Sequence, residues 1–347
     1  MTPRRPLMLG ALAAPAMLAA RGARAQEVTL RLHHFLPAVS NVHRHFLQPW
    51  AQKVGQESNG RLRVQIFPAM QLGGAPPQLY DQARDGVVDI VWTLPGNTPG
   101  RFPSIEVIEL PFIAHKRASV NARVTQELFD TAFRNEFQDT HILCAWAHDA
   151  GVIHARREVR RLEDMNGLRL RFPTRQAGEA LRALGAAPVG MPIPQVPEAL
   201  AQGVIDGAVV PWEVVPAIRI HETLRNHTEF AGSPTFYTAS FVLAMNRARY
   251  DALPADLKAV LDANSGQAAA AMAAKVWDEQ GPAVEQMVRR RGNQITELGA
   301  EETQRWARAT QPVIENWVRA MGERNINGAA LLERARALVA QYGQGVS

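Results

Sequence analysis

Hydrophobic and polar positions alternate in short runs along most of the chain, and stretches of helical period separate the runs. Residues 62–67 read Leu-Arg-Val-Gln-Ile-Phe, and 28–34 set Val28, Leu30 and Leu32 between polar neighbours. A period of two is that of a strand with one apolar face. Leu168, Leu170 and Phe172 alternate with Arg169 and Arg171 in the same way. Pro173 ends that strand, because it has no N–H to give to a ladder. Further strands are expected up to Trp92, at 106–110, 142–147 and 205–210, and over the long apolar run 236–245. Helices are expected at 43–57, 76–85, 118–137, 175–184 and 195–202, then at 255–263, 267–291, 301–321 and 329–342. Gly86, Gly185 and Gly203 stand as helix stops, and Pro254 opens a helix.

Strand and helix alternate, so the class is α/β with largely parallel sheets, and such sheets hold ligands at the carboxyl ends of their strands. A mature chain of about 320 residues exceeds the usual size of a single core, so two lobes are expected. A weak internal repeat agrees. Residues 79–92 give a helix, a glycine, Asp89 and a strand running toward Pro95; residues 197–209 give the same series with Asp206 and Pro211. One such unit per lobe would bring both strand ends to a shared cleft; chance likeness between α/β units is the other reading. No low-complexity linker divides the chain, so crossing strands are expected to join the lobes. The helical stripe Trp306, Val313, Trp317 and Met321 reads as core packing.

Residues 1–25 read as an export signal. Arg4 and Arg5 precede an apolar run from Leu7 to Ala20, too short to span a membrane. Ala23-Arg24-Ala25 fits small-x-small cleavage before Gln26. Arg4-Arg5 leaves both the general and the twin-arginine export routes open, and no lipobox cysteine is present. The signal also changes the charge. The chain has 38 Lys+Arg against 33 Asp+Glu; removing Arg4, Arg5, Arg21 and Arg24 leaves 34 against 33. The basic pI is therefore weak support for a nucleic-acid or membrane-surface partner. Cys144 is the one cysteine, so no intrachain disulfide is possible, and its apolar neighbours make it a buried residue.

The stretch from Asp164 to Glu213 carries a more specific signal. It contains Gly167 to Pro173, Leu184-Gly185-Ala186, Pro188-Val189, Met191-Pro192 and Gly203-x-x-Asp206-Gly207, in that order. These motifs closely resemble those of the solute-binding proteins of tripartite ATP-independent periplasmic (TRAP) transporters, the family often named for C4-dicarboxylate uptake. The likeness extends over nearly all of the mature chain. It implies a two-lobe, periplasmic-binding-protein-like α/β fold with a ligand cleft between lobes and crossing strands and helices. The lobes are expected at 26–148 plus about 236–275, and at 149–235 plus about 276–347. It further implies a periplasmic location, an organic-acid ligand, small and large integral membrane subunits as partners, and no cofactor.

In the family, the arginine at the position of Arg171 holds the ligand carboxylate. A guanidinium suits that task because it offers two parallel donors. Arg175, at the following helix start, is a possible second donor and equally a surface residue. Sialate-binding relatives place a further arginine where Gly151 falls here, and a polar asparagine where Val210 falls. Phe35 and Ile193 also map to wall positions, while Trp92, Thr93, Trp146, His148 and Trp212 lie at expected strand ends. The expected pocket thus has one carboxylate clamp and an apolar, aromatic-rich remainder, suited to a monocarboxylate with an aromatic or branched body. A small dicarboxylate would need a second cation, from His148 or Arg175. A ligand-sensing domain on the same scaffold is the other alternative.

Enzyme signatures are missing from the sequence. There is no Gly-x-Ser-x-Gly elbow, no phosphate-cradling Gly-Lys loop and no Gly-x-Gly-x-x-Gly fingerprint. His221-Glu222 lacks the second histidine of a zinc helix, since Arg225 holds that place. His33 and His34 leave a strand on opposite faces, which disfavours a shared ion. Glu213 is as readily a salt-bridge partner as a base.

Overall fold

The computed structural model describes residues 27–346, so the expected signal lies outside the described residues. Its strands are β1 (Val28–His33), β2 (Leu62–Phe67), β3 (Ile90–Thr93), β4 (Thr140–Ala147), β5 (Val152–Ala155), β6 (Arg169–Phe172), β7 (Ala187–Gly190), β8 (Gly207–Val210), β9 (Asn226–Phe230), β10 (Ser240–Asn246) and β11 (Gln294–Leu298). They form two sheets, of order β2-β1-β3-β10-β4 and β11-β9-β5-β8-β6-β7.

The parallel strands come from the strand–helix repeats. β1 runs parallel to β2 and β3, and β6 parallel to β7 and β8. The antiparallel strands are those by which the chain changes sheet. β5 starts beside the end of β8, with Val152 opposite Val210. β10 starts beside the end of β4, with Ser240 opposite Ala147. Both crossings therefore enter from the carboxyl ends of the neighbouring strands, and the two sheets present those ends to the same crossing segments. This is where α/β sheets hold ligands.

One expected strand is not one. Residues 106–110 fall mostly in a 3-10 turn, Ile105–Glu109, all of it buried. The place beside β3 is taken by β10, so this apolar run has no ladder to join. A short apolar run fits either state by period alone. The helix expected at 118–137 is regular only over Ala118–Leu128, then loosens through Phe129–Phe133 and Arg134–Phe137.

The Gly266–Arg290 helix, about 37 Å long, is the strut of the molecule. Ala269, Ala270, Ala273 and Ala274 recur at helical spacing and are buried, which lets the Ala118–Leu128 helix and β4 approach closely. Further along, the same helix packs on the turn Trp212–Val214 that follows β8 in the second sheet. Trp306, Val313, Trp317 and Met321 are all buried, as is Cys144. Among the described residues no helix is long and apolar enough to cross a membrane.

The Asp206-Gly207 motif has a packing cause. Asp206 accepts Arg169 Nη2 at 2.6 Å, Nε at 3.0 Å and the Arg169 backbone N–H at 3.0 Å, fixing the start of β8 beside β6. A Cβ on Gly207 would sit 2.2 Å from the His154 carbonyl oxygen and 2.9 Å from Ala155 Cα. Backbone would have to yield, so Gly207→Ala is expected to cost about 1–3 kcal/mol of stability by overpacking. Chemical denaturation of the purified protein measures this; an unchanged midpoint would refute the close approach.

Candidate ligand-binding site

Arg171 is the third residue of β6, and its side chain is 3% exposed. Two backbone carbonyls from the neighbouring strands aim it: Nε donates to Met191 O at 2.9 Å and Nη1 to Val209 O at 3.4 Å. Nη2 has no acceptor among the described residues. Burial lowers the guanidinium pKa to about 10, offset in part by nearby Tyr237, so the group stays charged at neutral pH. A buried charge without a counter-ion is costly, and an anion placed beside it relieves that cost.

The space in front of Arg171 is a cleft of about 530 Å³, counted with its open mouth. Val209, Val210 and Pro211 at the end of β8 form one wall, and Ile193 adjoins them. Phe35, Leu36 and Trp92 from the first sheet form the facing wall. The aromatic rings are mutually braced. Phe35 and Trp92 are 4.6 Å apart between centroids, Trp92 and Phe241 are 5.6 Å apart, and Phe241 stacks on Trp277 at 5.5 Å. Four of the lining residues each carry a buried polar atom that lacks a protein partner: Tyr237 OH, Trp92 Nε1, Trp277 Nε1 and Asn97 Nδ2. Most are donors, which suits an acceptor-rich ligand.

Of the residues singled out by sequence, Arg171, Phe35, Trp92, Ile193 and Val210 line this cleft. Trp212, Thr93, His148 and Arg175 do not, each for a local reason. Trp212 turns away from the cleft, donates Nε1 to Glu229 Oε1 at 2.6 Å and packs on His154 and His227. Thr93 follows Trp92 on β3, and successive strand side chains leave on opposite faces. His148 is buried with Nδ1 donating to Asp149 O at 2.7 Å; burial lowers its pKa to about 3, so it is neutral. Arg175 is exposed at its helix start. Neither His148 nor Arg175 therefore brings a second cation to the cleft. Trp146 lies behind Phe241, stacked on it at 5.5 Å.

Sequence reasoning missed Tyr237, Phe241, Trp277, Asn97 and Glu213 as lining residues. A signal for Tyr237 was available. Gly151 stands where some relatives carry an arginine, and a Cβ there would lie 1.8 Å from the Tyr237 ring. The tyrosine occupies the room a side chain would need. The histidines near the amino terminus serve structure. His33 Nδ1 donates to Gln82 Oε1 at 2.8 Å, and His34 Nδ1 accepts the Leu36 N–H, so its Nε2 donates to His43 Nδ1 at 2.9 Å. Among the described residues, no three His, Cys, Asp or Glu gather in a way that would hold a metal ion.

Two lobes sharing a cleft, with a buried cation on a strand end, define a solute-binding protein. Residues 32–320 match the family described as bacterial extracellular solute-binding protein, family 7, and the chain belongs to that family. Solved relatives share the fold over nearly their whole length. A TRAP solute-binding protein from Rhodoferax ferrireducens, crystallised with copurified benzoate, is 45% identical with a TM-score of 0.89, covering 92% of this chain and 100% of its own. A marine metagenome TRAP protein specific for aromatic acids, bound to 3-hydroxybenzoate, is 41% identical with a TM-score of 0.89, over 91% and 99% of the two chains. A Bordetella bronchiseptica TRAP protein with bound mandelate is 25% identical with a TM-score of 0.84, over 90% and 99%.

Gly151 gives a direct test of the close packing on Tyr237. Gly151→Ala is expected to displace the Tyr237 ring and cost about 1–3 kcal/mol of stability by overpacking. Chemical denaturation measures it; an unchanged midpoint would refute the contact.

Proposed function

We propose that this chain is the periplasmic receptor of a TRAP transporter and that its ligand is an aromatic monocarboxylate. The observation that carries this reading is the charge of the cleft: among the described residues lining it, Arg171 is the one cation. One guanidinium matches one carboxylate, and the braced rings of Phe35, Trp92, Phe241 and Trp277 match a flat apolar body. The ligands carried by the solved relatives, benzoate, 3-hydroxybenzoate and mandelate, are of this class. A C4-dicarboxylate would leave its second charge among apolar side chains.

Binding in this reading couples to closure. One lobe comprises 26–148 with about 236–275 and holds β1–β4 and β10; the other comprises 149–235 with about 276–347 and holds β5–β9 and β11. Contacts span the two: Gln176 Nε2 donates to Glu106 Oε2 at 2.7 Å, and Asn41 Nδ2 to Glu213 O at 2.9 Å. The acid binds first to the Arg171 side, and closure brings the Phe35 and Trp92 wall over its ring, removing it from water. The closed surface is what the small and large membrane subunits recognise, and an ion gradient, not a nucleotide, drives uptake.

Thermal unfolding with an acid panel tests the reading. Benzoate at about a hundred times its dissociation constant should add about 2.7 kcal/mol, while succinate and malate leave the midpoint unchanged. Arg171→Ala should abolish the benzoate shift and keep the unliganded midpoint within a few degrees, since it removes a costly buried charge along with two hydrogen bonds. Stabilisation by succinate alone, or an undiminished benzoate shift in Arg171→Ala, would contradict it.

A further inference from the structure

The cleft holds one acid as well as one cation. Glu213 lines the wall with Arg171 and is 2% exposed. No cation is paired with it among the described residues. Its Oε1 accepts the Val42 N–H at 3.3 Å, and its backbone oxygen accepts Asn41 Nδ2 at 2.9 Å. We propose that Glu213 gates the cleft by its own charge: an uncharged carboxyl there admits the anion that Arg171 binds, and an ionised one opposes it. This rests on the aromatic-acid reading above.

The surroundings of Glu213 come from four sides. The segment between β4 and β5 supplies Asp149, which is partly exposed, with Oδ1 lacking a hydrogen-bond partner and lying 3.7 Å from His148 Nδ1. The Gly266–Arg290 helix supplies Asp278, but that carboxylate is turned to the Ala118 N–H at 2.8 Å, the Ser119 N–H at 3.0 Å and Arg117 at 3.5 Å. The turn carrying Asn41 and Val42 brings only neutral donors, its His43 being bonded to His34. Arg171 lies on the cleft wall and is committed to Met191 and Val209.

Burial, then the charge of Asp149, raise the Glu213 pKa to about 8, against a small lowering by the Val42 N–H. The same cause, with Asp278 next, raises Asp149 well above the ordinary range. Hydration in an open cleft would return Glu213 toward the ordinary carboxylate range, so closure would take up a proton between that range and about pH 8. A closed-state pKa that is raised makes the closed form most favoured at low pH and progressively lost as pH rises through about 8. Above that point a carboxylate stands in the cleft beside the bound anion.

Calorimetric titrations of benzoate into the wild-type protein and Glu213→Gln, at about pH 6 and about pH 9, test the assignment. Wild type should bind benzoate at least about tenfold more weakly at the higher pH, and Glu213→Gln should lose most of that difference. Arg171, with its pKa at about 10, keeps its charge across that interval. A pH profile that is the same in both proteins overturns the role of Glu213 alone. No benzoate binding by wild type at either pH overturns the aromatic reading and this inference with it.

Discussion

A guanidinium taken out of water and left with an unmet donor is the constraint around which the cleft is built. Arg171 is tethered through Nε and Nη1 to carbonyls at the ends of two flanking strands. That tether fixes its direction and leaves Nη2 without an acceptor among the described residues. The rest of the architecture serves the same end. Parallel strands bring β6 and β8 to a common edge, the crossings into β5 and β10 pass over that edge, and the long Gly266–Arg290 helix braces the two sheets from behind. A charge in such a place is poorly compensated by the protein alone, and this is the physical basis of the proposed affinity for an acid.

Selectivity comes from what surrounds the charge. The rings of Phe35, Trp92, Phe241 and Trp277 support one another in tilted or stacked pairs, so the apolar part of the cleft is braced before a ligand enters. Preorganised walls lower the cost of ordering on binding. Tyr237 occupies the room beside Gly151. The relatives solved with benzoate, 3-hydroxybenzoate and mandelate share this fold closely.

The part of the molecule that sequence made legible is the part governed by local period and spacing. β1, β2 and β6 show in alternating residues, and Arg171 in its place before Pro173. The motif Gly203-x-x-Asp206-Gly207 proves to fasten β8 to β6 through Arg169 and to allow the close approach of His154. Residues 106–110 misled because a short buried run with Glu106 and Glu109 among apolar residues fits either state by period, and the entry of β10 beside β3 decides it. Trp212 misled because a strand end fixes a position and not the direction of the next side chain; it turns back to Glu229. Trp277, Phe241 and Tyr237 went unread because they reach the cleft from a long helix, a returning strand and a crossing segment, far in sequence from Arg171.

The most direct measurement is a crystal structure of the protein with benzoate. The account predicts the carboxylate within about 3 Å of Arg171 Nη2 and the Tyr237 hydroxyl, with the ring between Trp92 and the Val210 wall. A ligand held elsewhere, with the Arg171 guanidinium turned to solvent, would contradict it.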